Sequence, residues 1–284
     1  MKEIKAPFTR EDFIRASFKL GLPENAPQTR AKPRVSGILD CSRQQMYSMQ
    51  NVPRSNPEEE DFGRNHQNIT NEIHREAEGV TASIIAQLDF TVVDRQVSLP
   101  ADYPVTGHPD GRLVKGRYWA EGDASLIDGL VWGFEHKVIG YLQYIKVFDK
   151  GLFAAKPEYI TQALLYGDAL GWDCVLFVIL ADDAAATKGK RTQSSNQGWA
   201  KRDDWNPKVQ LVPIDLRPLK PLVGSFHARA AALTEAAATV EAAEVKREFS
   251  GTAVFPCGYC DWRNRCNIDG EGSLVIPKGA LTSG

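Results

Sequence analysis

The chain has 284 residues, 43% of them hydrophobic and 25% charged, and a formal net charge of −2 at pH 7. These values are typical of a globular protein with a substantial buried core, and they exclude a chain that is basic as a whole. No apolar run is long enough to span a bilayer and the N-terminal residues lack the apolar stretch of a secretory signal, so we expect a cytoplasmic protein with no membrane partner.

The N-terminal third is predicted to be mostly helical. Residues 1–34 contain four prolines and are interpreted as an extension that precedes a single domain over 35–284. A helix that begins after Ser36 carries Cys41, and an acidic linker over 53–60 follows it. Helices are then predicted over 61–78 and 80–88, with Gly79 between them.

The middle of the chain changes to a pattern rich in β-branched residues, which indicates strands. Strands are predicted over 90–99, 105–114, 118–127, 130–139, 174–180 and 209–214. Helices are predicted over 158–170, begun by Pro157 and ended by Gly171, and over the alanine-rich stretch 219–248. This order predicts an α/β fold, with a central mixed sheet flanked by helices.

Four of the five cysteines suggest a metal centre. Cys257, Cys260 and Cys266 lie within ten residues, and Cys41 lies far upstream. Four thiolates of this kind suit either an iron–sulfur cluster or structural Zn²⁺, and spacing does not choose between them. The fifth, Cys174, falls in an apolar strand and is interpreted as a small buried hydrophobic residue.

An acidic group is predicted at one edge of the sheet. Residues two apart on a strand point to the same face, so Glu135 and Lys137 should project together while His136 points away. Asp110 should join them from a neighbouring strand, and it is preferred to Asp128 because it leaves enough chain for two strands before Glu135. Carboxylates of this kind suit Mg²⁺ or Mn²⁺.

Together these motifs resemble the PD-(D/E)XK nucleases of the RecB-like superfamily. The resemblance is strongest to its iron–sulfur branch, which includes CRISPR-associated exonucleases and AddB-type nuclease domains. The matching elements, in chain order, are Cys41, His66 in Gly63-Arg-Asn-His66, Asp110 in Gly-His-Pro-Asp-Gly, Glu135-His-Lys137, Gln162 and Tyr166 in Gln-x-x-x-Tyr, and Cys257, Cys260 and Cys266.

The resemblance implies a role for each element. It implies a restriction-endonuclease-like core over about 60–216, with a [4Fe–4S] cluster on the four cysteines that joins the N- and C-terminal helical parts. It implies that His66, Asp110, Glu135 and the backbone carbonyl of His136 bind the divalent ion, and that Lys137 acts on the phosphate or the attacking water. It also implies that Gln162 and Tyr166 contact DNA.

The function expected from this resemblance is metal-dependent exonuclease cleavage of DNA, with single strands or DNA ends as substrate. Recombination, end processing and CRISPR spacer acquisition are the pathways expected. The chain has no P-loop, so a helicase, recombinase or integrase would be a separate partner. Basic residues of the loop 187–208 are predicted to contact phosphates: Lys188, Lys190 and Arg191. The alternative is a non-catalytic iron–sulfur module that holds DNA ends for a partner nuclease or integrase.

Overall fold

A computed structural model of the chain describes residues 31–53, 76–116, 126–182, 209–248 and 262–278. The chain divides into two compact units. Unit 1 comprises Met1–Pro33, Asp40–Ala77 and Ala231–Pro277, and unit 2 comprises Arg34–Leu39, Glu78–Ala230 and Lys278–Gly284. The single domain predicted over 35–284 stays a prediction.

Unit 2 contains a five-stranded mixed sheet. Its strands are β1 (Phe90–Val93), β2 (Gly111–Lys115), β3 (Trp132–Gly140), β4 (Cys174–Asp182) and β5 (Val209–Asp215), which lie in that order across the sheet. The β3–β4 pair is parallel, and the other neighbouring pairs are antiparallel. The predicted α/β class with a mixed central sheet and flanking helices is therefore confirmed.

The α-helices of the described residues are α1 (Ser42–Met49), α2 (76–87), α3 (Tyr141–Lys150), α4 (Leu152–Ala155), α5 (Pro157–Leu170), α6 (Val223–Thr239) and α7 (Arg263–Asp269). Helices α3 to α5 form the crossover that a parallel β3–β4 pair requires. The prediction for α5 is confirmed, with Pro157 in its first turn and Gly171 in the left-handed region at its end. In contrast, α2 continues through Gly79, where the sequence predicted a break.

Several strands and helices are shorter than predicted. Strand β1 ends at Val93 because the chain turns there, with positive φ at Asp94 and Gln96. The stretch predicted as strand from residue 105 is irregular until Gly111. The long alanine-rich helix is α-helical only from Val223, because prolines in the 3-10 segment Arg217–Leu222 lack the N–H that an α-helix needs.

The two faces of the sheet pack differently. On one face, Phe134 of β3 forms a buried cluster with Leu113, Val178 and Ile85 of α2. The opposite face carries Glu135, whose register partner is Phe177 on β4, and Tyr159 of α5 stacks on Phe177 with ring centroids 6.5 Å apart. A helix therefore covers each face, and the predicted acidic side chains lie on the face next to α5.

Unit 1 contains α1, from the N-terminal part of the chain, and α7, from its C-terminal part. The Tyr47 hydroxyl of α1 donates a 2.7 Å hydrogen bond to Asp269 of α7. The Trp262 ring stacks on Tyr47, with centroids 6.1 Å apart, and its indole N–H donates to the Val52 carbonyl. These contacts join α1 and the segment after it to the C-terminal helical segment. In neither unit does a helix of the described residues have the length and apolarity needed to cross a membrane.

Candidate active site

Three side chains meet where β2 begins beside β3. Asp110 immediately precedes β2, and the antiparallel register pairs the next residue, Gly111, with Phe134. The Lys137 ammonium lies 2.6 Å from Glu135 Oε2 and 3.6 Å from Asp110 Oδ2. The backbone N–H of His136 donates to Asp110 Oδ2 at 2.7 Å. The three residues that were expected to converge do lie together, and their catalytic role stays a prediction.

Glu135 is the most constrained member of this group. Its side chain is 0% exposed, and its Oε1 atom has no hydrogen-bond partner among the described residues. Burial raises the pKa of Glu135 to about 7, although the nearby Lys137 charge opposes that rise. A buried carboxylate oxygen without a donor is costly, and a bound cation is one way to satisfy it.

Lys137 remains a cation in this environment. Burial acts to lower the pKa of its ammonium, but the negative charges of Glu135 and Asp110 outweigh burial, so the pKa lies above its ordinary value. The buried group therefore combines one fixed positive charge with two carboxylates. An ammonium that keeps its proton can neutralise negative charge, and it is poorly suited to act as a base.

A hydrogen-bond network that also includes the carboxylate of Glu78 supports Asp110. Gln96 Nε2 donates to Asp110 Oδ1 at 3.2 Å and to Glu78 Oε2 at 3.5 Å. Arg95 holds the other oxygen of Glu78 through Nη2 at 2.7 Å and Nε at 3.1 Å. Sequence reasoning missed Glu78, Arg95 and Gln96, because a glutamate near a helix and polar residues after a strand are common on protein surfaces.

Tyr166 occupies a different environment from the one expected. The residue is 2% exposed, and its hydroxyl donates to the His108 carbonyl at 3.2 Å and accepts from Gln162 Nε2 at 3.3 Å. A Cβ atom on Gly107 would lie 2.8 Å from that hydroxyl, so only glycine fits there without displacement. Burial raises the pKa of Tyr166 to about 12.

These contacts make Tyr166 a support for the loop that carries Asp110. A ring buried to this degree has no face open for stacking on a base in this arrangement. The DNA contact expected of Gln162 and Tyr166 stays a prediction.

The remaining candidate residues of this site are Asp128, which lies in a turn, and four residues that lie outside the described ranges. Asp128, the rival acid, is exposed in the tight turn between Ile127 and Leu130 and has a positive φ of 55°. His66, the predicted histidine ligand, and the basic residues Lys188, Lys190 and Arg191 lie outside the described residues.

The carboxylates of Asp110 and Glu135, with the carbonyl of His136, could hold a divalent ion. Oxygen donors of this type fit Mg²⁺ or Mn²⁺, and the unpartnered Oε1 atom of Glu135 is consistent with that fit. Within the described residues, no three His, Cys, Asp or Glu side chains form a metal-ligating group.

Two of the four predicted cluster cysteines can be placed. Cys41 precedes α1 as its N-cap residue, Cys266 lies on α7, and both belong to unit 1. Burial raises the pKa of the Cys266 thiol, while the Arg43 guanidinium acts against that rise. Cys257 and Cys260 lie outside the described residues, and those residues contain no complete cluster site. Cys174 is 5% exposed in β4, as expected for a small buried residue.

No family model matches the chain, and no curated protein matches it. A solved structure titled "Crystal structure of SSO0001" matches with a TM-score of 0.44 and 12% sequence identity, covering 91% of this chain and 96% of that chain.

Proposed function

We propose that this protein is a metal-dependent deoxyribonuclease that hydrolyses phosphodiester bonds as an exonuclease, acting on single-stranded DNA or DNA ends. The observation that carries the proposal is the buried Glu135 carboxylate, which lies beside Asp110 and Lys137 and has one oxygen without a hydrogen-bond partner in the described parts of the chain. Two carboxylates and an ammonium held in this way combine metal ligation with stabilisation of a phosphoryl anion.

Each residue has a distinct part in the proposed reaction. Asp110, Glu135, the His136 carbonyl and His66 would hold Mg²⁺ or Mn²⁺, and the bound ion would supply a water of lowered pKa and polarise the scissile phosphate. Lys137 contributes its positive charge to the phosphoryl oxygens, since its pKa lies above its ordinary value. The Tyr166 hydroxyl donates a hydrogen bond to the His108 carbonyl and so positions the loop that carries Asp110.

The proposed setting is DNA recombination, end processing or CRISPR spacer acquisition. Gln162 would lie near the DNA, and the basic residues Lys188, Lys190 and Arg191 would contact its phosphates. A helicase, recombinase or integrase would act as a separate partner.

The proposed second cofactor is a [4Fe–4S] cluster on Cys41, Cys257, Cys260 and Cys266. The presence of Cys41 and Cys266 in one compact unit supports it, and structural Zn²⁺ is the alternative occupant. In either case the metal would stabilise unit 1 and would take no part in hydrolysis.

The test is a cleavage assay on single strands labelled at the 5′ or the 3′ end, with Mg²⁺ or Mn²⁺ against EDTA. The wild type should cleave only with the ion, and Lys137→Ala should remove activity without changing the circular dichroism spectrum. Lys150→Ala, which changes an exposed lysine on α3, is the matched control and should cleave normally. Full activity of Lys137→Ala would overturn the proposal, and DNA-end binding without cleavage by the wild type would favour the non-catalytic module.

A further inference from the structure

Arg43 is a fully buried cation in unit 1. It lies on α1, is 0% exposed, and its guanidinium is surrounded by backbone carbonyls. Its Nε donates to Val245 O at 2.7 Å and its Nη2 donates to Ala243 O at 2.9 Å. Further bonds run from Nη2 to Val245 O and from Nη1 to the carbonyls of Gly270 and Cys266. All of these acceptors are uncharged.

No carboxylate of the described residues forms an ion pair with Arg43. Two other arginines of the same unit do have such partners: Arg247 lies 3.8 Å from Glu271, and Arg265 lies 2.9 Å from Asp269. Carbonyl dipoles satisfy the hydrogen-bonding capacity of a buried guanidinium and leave its charge uncompensated, which is costly in a medium of low dielectric constant. An anion at this position would remove that cost.

The sulfur of Cys266 is the group at this position that can become an anion. Arg43 Nη1 lies 3.7 Å from Cys266 Sγ, within hydrogen-bonding distance for sulfur. A cysteine that binds a metal does so as a thiolate, and a hydrogen bond between a guanidinium and a thiolate is charge-assisted. Cys41, another cysteine of unit 1, lies two residues before Arg43 in the chain.

The backbone around Arg43 is shaped to admit the guanidinium. Gly272 has a φ of +66° and lies directly against it. A Cβ atom on Gly272 would overlap Arg43 Nη2 and would lie 2.8 Å from the Ala243 carbonyl. Only a residue without a side chain leaves this space open. The guanidinium therefore lies in a space that Gly272 leaves free. Carbonyls of residues 243–245 and 266–270 accept its hydrogen bonds, and the sulfur of Cys266 lies beside it.

We propose that Arg43 is the fixed positive charge of a thiolate-ligated [4Fe–4S] centre that includes Cys266, and that it raises the reduction potential of that centre. This inference rests on the proposed cofactor. The reduced form of a cluster is the more negative one, so a nearby cation and a hydrogen bond to a ligand sulfur both favour it. A purely structural role, in which Arg43 only fastens residues 243–245 to 270, would leave the potential unchanged.

The experiment is a redox titration of the anaerobically purified full-length protein, followed by cluster absorbance and electron paramagnetic resonance. Arg43→Gln, which removes the charge, should shift the potential to a more negative value while iron content is retained. Arg43→Lys should restore most of the wild-type potential because it keeps the charge. Arg217→Gln, which removes an arginine of unit 2 that is ion-paired with Asp215, is the matched control and should leave the potential unchanged.

The outcomes separate this inference from the proposed cofactor. A full cluster with an unchanged potential in Arg43→Gln overturns the role of Arg43 and leaves the cofactor proposal intact. Wild-type protein without iron–sulfur absorbance overturns both. If Arg43→Gln fails to fold, Gly272→Ala decides, since it displaces the guanidinium and keeps the charge on the chain. A negative shift in Gly272→Ala supports the inference, and an unchanged potential overturns it.

Discussion

At the scale of single residues, Glu135 combines two features that rarely occur together. Its side chain is fully buried, and one of its oxygens receives no hydrogen bond from any residue that the structure describes. The same carboxylate lies 2.6 Å from the Lys137 ammonium. Burial without complete pairing reduces stability, and such groups persist where they serve binding or catalysis.

The pKa of Glu135 predicts how stability depends on pH when no ion is bound. The group binds its proton more tightly in the folded state, at a pKa of about 7, than at its ordinary value of 4.5. The free energy of unfolding should therefore fall as pH rises through this interval, on the order of 3 kcal/mol from this group alone. Lys137 does not change the free energy of unfolding with pH over this interval, because it stays protonated.

Urea unfolding at pH 5 and pH 8 in the presence of a chelator measures this effect. Glu135→Gln cannot ionise, so its stability relative to the wild type should improve from pH 5 to pH 8. Parallel pH profiles of the two proteins would contradict the assignment of the slope to Glu135.

Tyr166 is expected to act through the loop it supports. Tyr166→Phe removes the hydroxyl that bonds to the His108 carbonyl, which should cost about 1 kcal/mol of stability. Because that loop aims Asp110, kcat for DNA cleavage should fall while KM stays near the wild-type value. Steady-state kinetics on a labelled single strand measures both parameters.

A matched control is Tyr47→Phe. Its hydroxyl donates a 2.7 Å hydrogen bond to Asp269, and both residues belong to unit 1, whereas the Asp110 loop belongs to unit 2. This variant should lose comparable stability and keep its activity. A large rise in KM for Tyr166→Phe would instead indicate direct contact with DNA.

At the scale of elements, β3 contributes side chains to the hydrophobic core on one face of the sheet and to the candidate active site on the other. Phe134 packs into the cluster with Leu113, Val178 and Ile85, and the next residue, Glu135, belongs to the candidate site. The alternation of side chains along one strand therefore links the stability of the core to the geometry of the carboxylates.

Removal of the Phe134 ring tests this dependence. Phe134 is 0% exposed, so Phe134→Ala should lower the free energy of unfolding by roughly 3–5 kcal/mol. Phe148→Ala on α3, where the ring is 51% exposed, should cost much less. Chemical denaturation of both variants provides the comparison, and equal losses would show that β3 does not carry the core.

At the scale of the whole molecule, the division into two units separates the proposed metal centres. Asp110, Glu135 and Lys137 belong to unit 2, while Cys41 and Cys266 belong to unit 1. A change at the cysteines should therefore act first on the stability of unit 1.

Hydrogen exchange followed by mass spectrometry tests that separation. Cys266→Ser should speed amide exchange in α1 and α7, and should leave β3 and β4 close to the wild type. Cys174→Ala is the control, because it removes a buried thiol from β4 in unit 2 and should not affect α1 or α7. Equal acceleration in both units after the Cys266 change would be evidence against two separate centres.

The sequence was sufficient for the elements with strong local signals. Strand β4 is an apolar run, and α5 is bounded by Pro157 and Gly171, so both were predicted close to their observed limits. Strand β1 was predicted too long, because the positive φ values at Asp94 and Gln96 that end it leave no mark in a run of β-branched residues. Local composition does not report where a chain turns.

The sequence by itself determined which residue types could form the site, since a period of two puts Glu135 and Lys137 on one face of a strand. Only the tertiary structure decided that Asp110 joins them and Asp128 does not, because the pairing of β2 with β3 sets that distance. It alone showed that Glu78 and Gln96 support the acid, that Tyr166 is buried, and that Arg43 has no carboxylate partner among the residues described. Those properties depend on contacts between residues distant in the chain, which no local pattern encodes.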